Sequence, residues 1–136
     1  MLLSQLSRKE KLKFLDLAMH VVSVDGMPNA LEQRLLNMML AEVGDGIVKE
    51  YTFKLSDNLE ETITFFKDLN KTVKHIVYLN LLIVIMTDEF YNVMEHDLLE
   101  EIKRAFDIKD IKKKQLMRLV YQERDLRERV KRVVSS

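Results

Sequence analysis

The 136-residue chain has no cysteine, no tryptophan, one proline and three glycines. Without cysteine there is no disulfide framework, no thiolate metal site and no thiol nucleophile. The same absence suits a reducing compartment, and a cytoplasmic location is expected. With so few breakers, the tight turns that close sandwiches and barrels are missing. Long apolar runs are missing as well. The longest, Ile76–Met86, is interrupted by Asn80 and is well short of the ~20 residues that a membrane span needs. It reads as a helix buried on nearly all sides. The opening stretch, MLLSQLSRKEKLKFLDLAMHVV, carries its charges inside a helical pattern and lacks a small-residue cleavage site, unlike a signal peptide.

What is present is a body of apolar and charged residues, 47% and 32% of the chain. That balance suits one soluble helical domain with a real core. Net charge is zero but unevenly spread. Met1–Ile102 carries 10 basic and 17 acidic residues, and Lys103–Ser136 carries 12 basic and 5 acidic. Such asymmetry bears on association rather than on fold.

Apolar residues at 3–4 spacing predict a first helix over about Ser7–Val24, with Leu12, Leu15, Met19 and Val22 inward and Arg8, Lys9, Lys11 and Lys13 in water. Asp25-Gly-Met-Pro is a turn. A second helix opens with the capping box Asn29-Ala-Leu-Glu32, buries Leu31, Leu35, Met38, Met39 and Val43, and ends at Gly44. Ile47–Leu55 alternates briefly and suits a short extended piece. Asp57-Asn-Leu-Glu60 opens a short helix to about Leu69, with Ile63, Phe66 and Leu69 as its apolar edge. The central helix spans Lys71–Met86, a second acidic turn Thr87–Tyr91, and Asn92-Val-Met-Glu95 caps a helix Val93–Phe106. A break near Asp107–Asp110 leads to a last helix, Ile111–Val134, whose expected inner face is Leu116, Leu119, Val120, Leu126, Val130 and Val134. The expected fold is therefore all-α, a single domain of about six to seven helices.

Part of this pattern occurs twice. Leu12–Gly44 and His75–Asp107 correspond at an offset of 63, with Val21/Val84, Asp25/Asp88, Asn29/Asn92, Glu32/Glu95, Leu35/Leu98 and Leu36/Leu99 identical. Each copy is an apolar helix, an acidic turn and a second helix, so an internal pseudo-twofold repeat is expected.

An apolar helix ending in Asp-Gly, a Glu seven residues after the Asp and then a Leu-Leu helix resemble the tellurite-resistance protein B family, the TerB-like domains, over roughly Leu12–Ile108. The first copy carries Val24-Asp25-Gly26 and Glu32. The second, Thr87-Asp88-Glu89 with Glu95, lacks the glycine. The resemblance implies a compact all-α accessory domain of a bacterial stress response, acting through another protein. It also implies that Asp25, Glu32, Asp88 and Glu95 form an acidic cluster for a divalent cation such as calcium, magnesium or manganese. J-domain cochaperones, which the family's domain accompanies, need a His-Pro-Asp turn, and Pro28 is not in one.

The residues themselves allow two readings of this set. Carboxylates suit a hard cation. Glu32 and Glu95 also stand where capping boxes want Glu, and Asp25 and Asp88 can cap amides, which is the commoner use. An EF-hand loop does not fit, because Val21 would take its first ligand position. His20, His75 and His96 have no metal-site spacing, although His96 adjoins Glu95 and Asp97. No nucleophile elbow and no phosphate loop is visible, so an enzyme is not expected. The eight Met, among them Met38, Met39, Met86 and Met117, suit core gap-filling or an adaptable binding surface.

The basic tail, including Lys112, Lys113, Lys114, Arg118, Arg124, Arg127, Arg129, Lys131 and Arg132, allows contact with nucleic acid or a peripheral contact with an anionic membrane. Tyr121 is the only aromatic in that helix, which makes nucleic acid the poorer partner. A solvated face with pairs such as Glu123–Arg127 and Glu128–Arg132, or a clasp on the acidic body, is the favoured reading.

Overall fold

The computed structural model describes residues 1–26, 28–44, 46–47, 58–87 and 92–136. Ser7 opens α1, Arg8–Val22: its hydroxyl accepts from the Glu10 amide, and the Glu10 carboxylate accepts from the Ser7 amide. This reciprocal cap was not anticipated. A similar box at Asn29 opens α2, Ala30–Val43. Past α2, Gly44 has φ 105°, a value at which a side chain would be strained. Then come α3 (Leu59–Lys67), α4 (Lys71–Thr87), α5 (Val93–Ala105) and α6 (Asp110–Ser135). A 3-10 turn, Leu3–Gln5, precedes them. Six α-helices among the described residues make the all-α fold plain.

Two expected boundaries move. The cap of α3 is Asn58, whose side chain accepts from the Glu61 amide at 3.4 Å, so the pair lies one residue beyond the expected Asp57–Glu60. Helix α5 stops at Ala105, and Asp107 turns the chain with φ 53°. Ile108 N–H closes that turn on Lys103 O at 3.0 Å. Ile47, the first residue of the expected extended piece, is helical and buried; the rest of that piece and Asp88 fall in 48–57 and 88–91, outside the described residues.

Helix α4 is the axis of the body. Helices α1, α2, α3, α5 and α6 all pack on it. Accordingly Val73, Ile76–Leu82, Val84 and Ile85 are buried, as its apolar run predicts. Asn80, fully buried, is satisfied on every side. Its Nδ2 donates to Met1 O and Ile76 O, both at 2.8 Å, and its Oδ1 accepts from the Met1 ammonium at 2.8 Å. The ammonium also pairs with Glu42 at 3.1 Å. An apparent interruption of the run is thus a planned polar contact, since a buried amide without partners would be costly.

Helix α1 buries Phe14, Leu15, Leu17, Ala18, Val21 and Val22. Lys9 and Lys13 do not simply face water; their ammonium groups lie over Phe65, 5.4 and 5.8 Å from the ring centre. Phe66 and Phe106 pack 6.0 Å apart, joining α3 to the end of α5.

Two expected apolar faces are corrected. In α2 the core takes Leu36, Met39, Leu40 and Val43, while Leu31 and Met38 are exposed and Leu35 is half-buried. The helix is apolar over more than one stripe, and the core needs only one. In α6 only Val120 is buried. Leu116 and Met117 pack partly on the core, but Leu119, Leu126, Val130 and Val134 are exposed. The physical reason is length: α6 outruns the body, and every residue from Arg124 to Ser136 is exposed. Lys113 on Glu100 does clasp the acidic body, whereas Lys103–Asp110 at 2.7 Å ties the end of α5 to the start of α6 with the charges the other way round. Further along, Arg127 pairs with Glu123 at 2.8 Å as expected, whereas Glu128 pairs with Lys131 at 3.2 Å instead of Arg132.

Candidate functional site

The acidic set is seated by two helix N-termini. Asn29 Oδ1 accepts from the Glu32 amide at 2.8 Å, and Glu32 Oε1 accepts from the Asn29 amide at 3.1 Å. Asn92 Oδ1 accepts from the Glu95 amide at 3.0 Å. Both caps form where the Asn-x-x-Glu spacing places them, because the first amides of a helix have no intrahelical acceptor. Both glutamates are buried, at 4% and 2% exposure for Glu32 and Glu95, although glutamate is seldom buried unless it is partnered. Glu32 Oε2 has no hydrogen-bond partner among the described residues.

Asp25 stands exposed in the turn after α1, and its carboxylate accepts from Asn92 Nδ2. One amide therefore serves two purposes: its oxygen caps α5 and its nitrogen holds the turn that precedes α2. The structure brings Asp25 to the α5 cap. It seats Glu32 and Glu95 as first-turn residues, where negative charge is favoured. Among the described residues no three His, Asp or Glu side chains stand close enough to hold a metal ion. That described part does not by itself supply the six or more oxygens a calcium ion takes. His96 is half-buried, and burial, then Lys113, hold its imidazole below its ordinary value.

Two of the hollows among the described residues bear on function. One is a mixed cleft of about 330 Å³ between α2, α4 and α6, with Glu123 and Glu128 in its wall. Leu31, Leu35, Met38, Ile83 and Met86 line it, and Arg34, Arg124, Arg127 and Lys131 stand at it. Its lining is the second apolar stripe of α2, which sequence reasoning assigned to the core. The legible signal was the surplus: Leu31, Leu35 and Met38 recur at helical spacing beside Leu36, Met39 and Val43. The other hollow, about 340 Å³, lies where α4 and α6 begin, among Lys71, Lys74, His75, Phe106 and Lys112. Burial, then Lys112, Lys71 and Lys74, lower the pKa of His75.

No protein-family model matches the chain, and neither does any curated protein or solved structure.

Proposed function

We propose that this chain is a TerB-like accessory domain of a bacterial stress response, cytoplasmic and non-enzymatic, which works by docking another protein. The observation that carries this reading is the cleft between α2, α4 and α6. It presents Leu31, Leu35, Met38, Ile83 and Met86 together, beside Arg34, Arg124 and the ion pairs Arg127–Glu123 and Lys131–Glu128. Methionine-rich linings adapt to helical partners, because the thioether chain is unbranched and polarisable. The twofold sequence repeat supports the family part of the reading, and the Asp25–Asn92 bond accords with it by joining the two copies.

Substituting the exposed Met38 by Glu tests the docking surface without touching the core. A partner held by the wild-type chain and lost by Met38→Glu is the expected result. A partner held equally by both removes the cleft from the reading.

A weak divalent-cation site at the acidic turns belongs to the same proposal. The orphaned Glu32 Oε2 favours it, since a buried oxygen without a donor gains from a positive neighbour. Millimolar calcium, magnesium or manganese should then raise the unfolding midpoint by mass action, and Asp25→Asn should abolish the rise. No rise with any of them leaves Asp25, Glu32 and Glu95 as helix-capping and turn-holding residues.

A further inference from the structure

The far end of α6 has an apolar face that nothing among the described residues covers. Leu119, Leu126, Val130 and Val133 are 55%, 58%, 51% and 74% exposed. At 3.6 residues per turn they fall within roughly 60° of arc. The side of α6 that packs on the core carries Leu116, Val120 and Met117, about 40°, 80° and 140° around the helix from Val130. The bare stripe thus adjoins the core-facing side and continues past it onto a face turned to solvent.

Charge says what suits it. Helix α6 has nine basic and four acidic residues. Arg118, Arg129 and Arg132 run along one flank of the stripe without an ion-pair partner among the described residues, with Asp125 among them; on the other edge Glu123 pairs with Arg127 at 2.8 Å. An aliphatic stripe with arginines along one flank, on a helix of net positive charge, suits a helix lying in a bilayer interface: the apolar residues enter the headgroup boundary and the guanidinium groups meet lipid phosphates. Among the described residues no helix is long and apolar enough to cross a membrane, so contact would be peripheral.

A second copy of the chain fits less well. Glu123, at the edge of the stripe, faces either occupant alike. Pairing two such stripes would bring arginine-rich flanks together. An anionic surface neutralises the arginines that self-pairing would oppose.

We infer that the exposed face of α6, centred on Leu126 and Val130 and flanked by Arg127 and Arg129, docks the protein on anionic lipid surfaces. The test is co-sedimentation of the full chain with vesicles of phosphatidylcholine alone and of equal parts phosphatidylcholine and phosphatidylglycerol. Binding to the anionic vesicles only, weakened by salt, is expected. Val130→Asp should lower that binding at least tenfold, and Arg129→Gln about fivefold, the effect of one cationic side chain near such a surface. Both positions are exposed, and circular dichroism should show unchanged helicity. Absence of binding to anionic vesicles at low salt overturns the inference. So does equal binding by Val130→Asp, which would make the contact purely electrostatic. Sedimentation velocity supplies the alternative: a wild-type dimer that Val130→Asp disperses gives the stripe to a second copy and overturns it too.

Discussion

Asn92, in the second copy of the sequence repeat, donates its side-chain N–H to the carboxylate of Asp25, in the first. The contact spans 67 positions of sequence and joins the turn after α1 to the cap of α5. Each residue would be unremarkable alone. Together they make the orientation of one turn depend on the N-terminus of a distant helix.

This pairing predicts a thermodynamic coupling. Asn92→Ala should cost about 1 kcal/mol for the lost cap, before the cross-turn bond is counted. Asp25→Ala, at an exposed site, should cost less. A double-mutant cycle by urea unfolding should give a coupling of about 0.5–1 kcal/mol between them. Strict additivity would show that the bond contributes nothing in solution.

Tyr78 offers a stabilising change. Its ring is fully buried in α4, and its hydroxyl has no hydrogen-bond partner among the described residues. Burial, then the nearby Glu100 and Asp110, raise the phenol pKa above its ordinary value, so it stays protonated. Removing an unsatisfied buried group recovers its desolvation cost, and Tyr78→Phe should stabilise by about 1 kcal/mol. Destabilisation in thermal or urea unfolding would reveal a partner for that oxygen.

Leucines in α4 and at the end of α6 should behave oppositely. Leu82→Ala removes a buried side chain and should cost about 2–5 kcal/mol. Leu126→Ala, at 58% exposure, should change stability by no more than about 0.5 kcal/mol. Comparable losses would mean that α6 is covered along its whole length.

The histidines predict an acid-side loss of stability. His75 and His96 are both held below the ordinary histidine value of 6.5, first by burial and then by lysines. A depressed folded value means that the unfolded chain takes up the proton more readily. Stability is therefore full above about pH 6.5 and falls as the pH drops through the unfolded value towards the folded one. His75→Gln should flatten part of that slope in unfolding measured between pH 7 and 5. An unchanged slope would remove His75 from the effect.

Much of the candidate set was legible one residue at a time. The Asn-x-x-Glu spacing announced both caps, and the structure forms them at Asn29 and Asn92. That Asp25 would meet Asn92 was not legible, because nothing in either local pattern marks a partner 67 residues away. The burial of Glu32 was equally hidden, since a capping glutamate at a helix surface has the same sequence signature.

Local patterns of apolar spacing, capping residues and breakers determined the helical class, the order of the helices and the burial of α4, because each depends on residues within a few turns of one another. Which apolar stripe of α2 enters the core, and how far α6 runs beyond it, only the tertiary structure decided. An apolar face looks the same in sequence whether or not a neighbour reaches it. For Leu31, Leu35 and Met38 in the cleft, and for Leu126 and Val130 on α6, no helix among the described residues closes fully over that face, and residues that sequence patterning alone would bury stay wholly or partly exposed.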